Sequence, residues 1–318
     1  MVCFRSEEFV LYIQSRQQAQ DRNVNGQRAT SSLPSAYVIL RLLRHIMPEG
    51  LAQVFLRRGW FIRAGAETMY PASVARFYLE QLSRFDIDLA DRRILLFGYG
   101  GRFDLAIGLL ESGAAHVVVC DQLAEPDHSH NAGLLSRYPQ YLEKVGGRVV
   151  PDEARITTLH NDIRTVDGLH PVDIVLSNSV FEHLRDVPGV TEALARLTHS
   201  NGIQIHRIDL RDHYFKYPFE MLRFSAKVWA RFLDPSSHHN RYRLWDFRQT
   251  FERKFGKVDV EILHSDPEEF ERIRDHIREE FVSGNMSEDA ATIILLVARE
   301  KRLAPTEVCS WSYAREDF

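Results

Sequence analysis

The chain has 318 residues, 44% of them hydrophobic, and a formal net charge of −4. That is enough apolar material for one large core, and the acidic balance lacks the basic surface that nucleic-acid binding requires, so no nucleic-acid partner is expected. The three cysteines, Cys3, Cys120 and Cys309, are too few and scattered for a disulfide framework or a cysteine zinc site. The N-terminal stretch has no signal-peptide centre, and no apolar run approaches the ~20 residues of a bilayer span. These features predict a cytoplasmic protein without integral membrane association.

Residues 1–69 read as a helical extension broken by a polar run at 23–34. Tyr37, Ile39, Leu40, Leu42, Leu43 and Ile46 recur at helical spacing, the pattern of a packing helix. Arg41, Arg44, Arg57 and Arg58 border the apolar positions. They leave a membrane-surface helix, or a homodimer through the N-terminal helices, as alternatives.

A different pattern begins at Pro71, which suits a first helical turn. Val74, Phe77, Tyr78, Leu82 and Phe85 then keep helical spacing. A short apolar run at 94–97 ends in Gly98-Tyr99-Gly100-Gly101, a helix follows at 103–112, and a β-branched run at 116–120 ends in Asp121. Strand, glycine turn, helix, strand and acid make one βαβ unit. Further strands are expected at 156–160, 172–176 and 203–208, with a helix at 187–198. Residues 209–250, crowded with aromatics, His and Arg, read as an inserted lid or substrate segment. A strand at 258–262, a charged helix at 267–281, a strand at 292–298 and a tail at 302–318 complete the chain.

In an open parallel sheet, ligands bind beyond the carboxyl ends of the strands. Glycines in the first such loop let backbone approach a ligand, although plain turns are built the same way. Asp121, with Gln122 beside it, can accept ribose hydroxyls or cap the next segment. Asp162 can meet an adenine amino group with Ile163 against the ring, or simply make a turn.

The segment Asp173-Ile174-Val175-Leu176-Ser177-Asn178-Ser179-Val180-Phe181-Glu182-His183-Leu184 resembles the Glu-His segment of class I, Rossmann-like methyltransferases that use S-adenosyl-L-methionine. Residues 94–121 resemble that family's first motif, and 206–213 are similar to a bacterial subgroup with H-x-I-D-L-x-D-H. The resemblance covers about 70–301. It implies an α/β fold of three layers around a seven-stranded, mostly parallel sheet whose last strand is antiparallel. It implies S-adenosyl-L-methionine as cofactor and transfer to the O or N of a small-molecule acceptor. Gly98–Gly101 would pack against the methionine part, Asp121 would hold the ribose, Asp162 and Ile163 would flank adenine, and Ser177, Asn178 and Ser179 would line the floor near the sulfonium. The chain departs from the family at Leu96, where an acid is usual, and at Arg102, often glycine, which is expected to meet the cofactor carboxylate.

An acceptor that must lose a proton needs a base. The candidates are His183, Asp209, Asp212 and His213. His206 lies within a strand and reads as an interior histidine. No metal is expected, since the Asp/His spacing is not a closed ligand set. Arg223, Trp229, Arg241 and Trp245 are candidates for holding the acceptor. Two other functions compete. One is a nicotinamide-dependent oxidoreductase, against which Phe103 stands at the third glycine position. The other is a non-catalytic protein that binds S-adenosylmethionine.

Overall fold

Apolar runs without alternation, such as Ile94-Leu95-Leu96-Phe97 and Val117-Val118-Val119-Cys120, form strands covered on both faces. The computed structural model describes residues 35–46, 71–212, 217–235 and 238–302. Two helices, α1 (Ser35–Ile46) and α2 (Pro71–Ser83), precede β1 (Arg93–Phe97). The chain continues through α3 (Asp104–Glu111), β2 (His116–Cys120), α4 (His128–Leu135) and β3 (Leu142–Val145). Next come β4 (Arg148–Pro151), β5 (Ile156–Leu159), β6 (Val172–Asn178), α5 (Val187–Leu197) and β7 (Thr198–Asp209). Then follow α6 (Leu244–Glu252), β8 (Phe255–Ser265), α7 (Pro267–Ile273), α8 (Met286–Asp289) and β9 (Ala291–Lys301).

Seven strands form one sheet in the order β5-β2-β1-β6-β7-β9-β8. The pairs from β5 to β7 are parallel, and β9 runs antiparallel to both β7 and β8. The fold is therefore the expected three-layer α/β sheet with an antiparallel last strand. Strand β1 sits between β2 and β6, so the chain reverses its direction of winding there. The crevice at the carboxyl ends of β1 and β6 is the topological switch point.

Two cores flank the sheet. Ile94 and Leu96 face Phe77, Tyr78 and Leu105, while Leu95 and Phe97 face Phe181, Leu194, Phe247 and Phe251. A third core joins Phe219, Met221, Leu222, Trp229 and Leu233 to Phe270, Ile273, Ile277 and Phe281. The segment expected as a lid at 209–250 is thus half of a small packed cap, and 270–290 supply the other half.

Three expectations are corrected. The helix foreseen at 267–281 ends at Ile273. Beyond it Ile277 and Arg278 turn extended, and the Arg278 N–H reaches the Leu222 carbonyl at 3.2 Å. The extended segment therefore pairs with the cap in place of continuing the helix. A short hairpin, β3 with β4, was not foreseen. The third correction concerns α1, whose packing face is the reverse of the apolar reading. Tyr37 and Arg41 are buried, whereas Ile39 is 57% and Ile46 73% exposed. The Tyr37 hydroxyl donates to Asp212 (2.6 Å), Arg41 pairs with the same carboxylate, and its guanidinium lies 4.8 Å over Trp229. A buried cation needs its counter-ion, so this trio decides which side of α1 faces in. The rest of the extension at 1–69 and the tail after Arg302 lie outside the described residues.

Asp212→Ala removes the carboxylate from a buried Arg41 and is expected to destabilise the protein by about 3–5 kcal/mol in urea denaturation. Adding Arg41→Met should return most of that loss. Equal stability of Asp212→Ala and the unchanged protein would show that α1 is held by other contacts.

Candidate active site

The turn after β1 is shaped by close contacts of the chain with itself. Gly98, at φ +81°, leaves no room for a side chain, because a Cβ would come within 2.2 Å of a Val180 methyl. Gly101, also at φ +81°, would put a Cβ 2.2 Å from the Glu125 carbonyl oxygen. These conformations are open to glycine and strained for other residues. The Gly101 carbonyl accepts from the Asp127 N–H (2.8 Å) and from the buried Asn131 amide (3.0 Å), and Asn131 Oδ1 accepts from the Phe103 N–H (3.2 Å). Asn131, on α4, is the side chain that holds this turn, and nothing in its local pattern announced it. Tyr99 points into the core and stacks on Phe103 at 5.9 Å. Only its backbone faces the turn's outer side.

Asp121 ends β2 beside this turn. Its Oδ1 accepts from the N–H groups of Leu123 (2.9 Å) and Ala124 (2.8 Å), and its Oδ2 from Gly100 (3.1 Å). It therefore caps its own loop and ties that loop to the glycine turn, while remaining half-buried. Gln122 is exposed, and Leu123 is 77% exposed. Burial, foremost, pushes the neighbouring Cys120 thiol up to about 12, so this cysteine stays protonated.

Several expected contacts go elsewhere. The Asp162 carboxylate is held by Arg164 through Nε (3.0 Å) and Nη2 (2.6 Å), which lowers its pKa, and Ile163 is 2% exposed in the core. Neither presents the adenine contact foreseen. Ser177 is fully buried and its hydroxyl donates to His206 Nδ1 (2.8 Å), so it does not line the crevice floor. Asn178 and Ser179 lie at the carboxyl end of β6, and Asn178 Oδ1 accepts from Arg207 (3.1 Å) and from the Ser179 hydroxyl (3.2 Å). Arg102 pairs with Asp127 (3.4 Å) rather than standing open for a cofactor carboxylate.

Of the candidate bases, Asp209 is held by Arg211 at 3.0 and 2.7 Å and Asp212 by Arg41 and Tyr37, which corrects both. His213 lies outside the described residues. His183 keeps the geometry of a base. Its Nδ1 lies 2.9 Å from the His238 carbonyl, which can only accept, so Nδ1 carries the hydrogen and Nε2 is the basic nitrogen. Asn240 fastens the turn that bears it: its amide donates to the carbonyls of Phe181 (2.7 Å) and Leu184 (3.1 Å), and its N–H donates to Glu182 (3.0 Å). Glu182 is 1% exposed. Burial, then the charge of Asp209, raises its pKa well above the usual carboxylate range.

The expected acceptor contacts are mostly cap structure. Arg223 pairs with buried Glu220 (2.9 Å). The Trp229 indole donates to the His239 carbonyl (3.1 Å), and Arg241 donates to the carbonyls of Met221 (3.2 Å) and Phe224 (2.6 Å). These three hold the cap together, which corrects their assignment to the acceptor. Trp245 is half-buried on α6. Among the described residues no group of His, Cys, Asp and Glu could hold a metal ion, and no helix is long and apolar enough to cross a membrane.

No protein-family model matches the sequence, and no curated protein matches it. The fold is similar to solved structures at low identity. One is a 1,6-didemethyltoxoflavin-N1-methyltransferase of Burkholderia thailandensis with S-adenosylhomocysteine bound, at 13% identity and TM-score 0.46, covering 88% of this chain and 98% of that one. A second is phosphoethanolamine N-methyltransferase 2 of Haemonchus contortus with S-adenosyl-L-methionine, at 17% identity and TM-score 0.43, covering 71% of this chain and 53% of that one. A third is an S-adenosylmethionine-dependent methyltransferase of Mesorhizobium loti, at 15% identity and TM-score 0.39, covering 69% and 96%.

His206 is the interior histidine the strand pattern predicted. Its Nε2 donates to Gln204 Oε1 (3.0 Å), whose amide donates to Thr198 (2.8 Å), and its Nδ1 accepts from Ser177. Burial lowers its pKa to about 3. The unfolded chain binds a proton near the ordinary value of about 6.5 and the folded protein does not. Stability is therefore expected to fall as pH drops from about 6.5 toward about 3, by at most ~1.4 kcal/mol per pH unit from this group. Urea midpoints at pH 7 and pH 5, compared between the unchanged protein and His206→Gln, measure the share. An unaltered pH slope in the variant would rule His206 out as its source.

Proposed function

We propose that the protein is an S-adenosylmethionine-dependent methyltransferase acting on the oxygen or nitrogen of a small molecule. One arrangement supports this reading above the rest. The glycine turn after β1, the acid ending β2 and the turn after β6 converge at the switch point of a seven-stranded sheet with one antiparallel strand, the architecture that the sequence resemblance implied.

The residues fit the ribose end of the cofactor. Asp121 keeps acceptor capacity on Oδ2 beside the exposed Gly100 N–H, and exposed Leu123 offers an apolar surface for adenine. The amino end is met differently from the family pattern, because Leu96 is fully buried and no acid stands there. When bound, S-adenosylmethionine supplies a methyl group on a sulfonium, which leaves without needing a proton. The protein's own work is then to position the acceptor and to accept its proton. His183 suits the second task, with its basic nitrogen set by the His238 carbonyl. The cap and the Asn240 clamp hold that histidine in place.

The oxidoreductase reading is weaker, since Phe103 fills the core at the position a dinucleotide turn keeps as glycine. Binding without turnover remains the second reading. It is favoured by the engagement of Asp209 and Asp212 with arginines, which leaves His183 as the sole described candidate base.

Calorimetry with S-adenosylhomocysteine tests the site. Asp121→Ala is expected to weaken binding by about tenfold or more, since ribose hydrogen bonds to a carboxylate are charge-assisted. Unchanged affinity, or binding of NAD in place of S-adenosylhomocysteine, would overturn the reading.

A further inference from the structure

Arg207 stands on β7 beside the end of β6, half-buried. Among the described residues its guanidinium makes one hydrogen bond, from Nη1 to Asn178 Oδ1 (3.1 Å), and no ion pair. The acids around it do not neutralise it. Asp209 is engaged by Arg211. Glu182 is buried, and burial disfavours its charge. Two arginines against one charged aspartate leave the cluster with one net positive charge when Glu182 carries its proton. Burial also lowers the pKa of Arg207, a cost that an anionic partner would offset.

We propose that Arg207 anchors the acceptor, and that the acceptor is a small molecule bearing a carboxylate. This rests on the methyl-transfer reading of the same crevice. The outer N–H groups of a guanidinium meet the two oxygens of a carboxylate in one plane. A single negative charge neutralises the cluster, whereas a phosphate dianion would be repelled by Asp209. The site therefore selects a monoanion over a neutral molecule of the same shape.

Benzoate and benzamide, alike in shape and different in charge, make the comparison by calorimetry on the full chain. The unchanged protein is expected to bind benzoate at least about tenfold more tightly than benzamide, and Arg207→Met should lose that preference. Arg207→Lys, which keeps the charge without the paired geometry, should weaken benzoate binding and serves where Arg207→Met does not fold. The proposal is overturned if benzamide binds as well as benzoate, if both variants that fold bind benzoate as the unchanged protein does, or if inorganic phosphate binds more tightly. S-adenosylhomocysteine should bind the unchanged protein and Arg207→Met alike. If it binds neither, the methyltransferase reading fails on its own, and the benzoate comparison still decides the role of Arg207.

Discussion

The arrangement of the site depends on the contact of Val180 with Gly98. Any side chain at Gly98 would overlap the valine methyls, and the residue's φ of +81° already excludes most alternatives. This contact presses the turn after β6 against the turn after β1. Phe181, the next residue, enters the core. There Phe181 meets His206 at 4.6 Å and Phe251 at 5.4 Å. The Glu182-His183 pair is thereby hung from a turn fixed on two sides, by glycine packing on one and by an aromatic cluster on the other.

The cap completes that fixation. Asn240 bonds three atoms of the 181–184 turn, and the His238 carbonyl accepts a hydrogen bond from His183 Nδ1. The cap in turn carries α1 through the Tyr37, Arg41 and Asp212 trio. Helix α1, the cap and the 181–184 turn are therefore linked by polar contacts at least partly withdrawn from solvent. Such contacts are costly to break singly, because each leaves a desolvated partner behind. On the proposed reading, the His238 carbonyl holds His183 in one orientation before any acceptor arrives.

Much of this was legible in the chain. Apolar runs with no alternation had to be strands buried on both faces, and their punctuation by glycine and acid located the carboxyl edge where ligands bind. What failed did so for physical reasons. The hairpin at Leu142–Val145 and Arg148–Pro151 mixes charges with apolar residues and buries only Leu142 and Val149, too few to make an alternating pattern. The orientation of α1 was misjudged because a buried ion pair outweighed five apolar side chains. Arg41 had to follow Asp212 into the interior, and no local pattern in α1 records a partner some 170 residues away. Arg223, Trp229 and Arg241 look like ligand contacts in sequence for the same reason that they hold the cap: arginine and tryptophan serve both tasks with the same donors.

Two of the engaged carboxylates share one local arrangement. Asp162 and Asp209 are each followed two residues on by an arginine, Arg164 and Arg211, and in both cases the aspartate accepts from that arginine's backbone N–H and grips its guanidinium. The backbone bond holds the pair in a turn, so the side-chain pairing costs little further ordering. Asp121 has Leu123 at that place, and its carboxylate takes only backbone N–H groups. Arg207 has Ile205 two residues before it, and the aspartate two residues after it is engaged by Arg211. Asp162 and Asp209 are thus each held by an arginine close in sequence, whereas Asp121 accepts from backbone N–H groups and Arg207 donates to Asn178, the contrast on which the acceptor proposal rests.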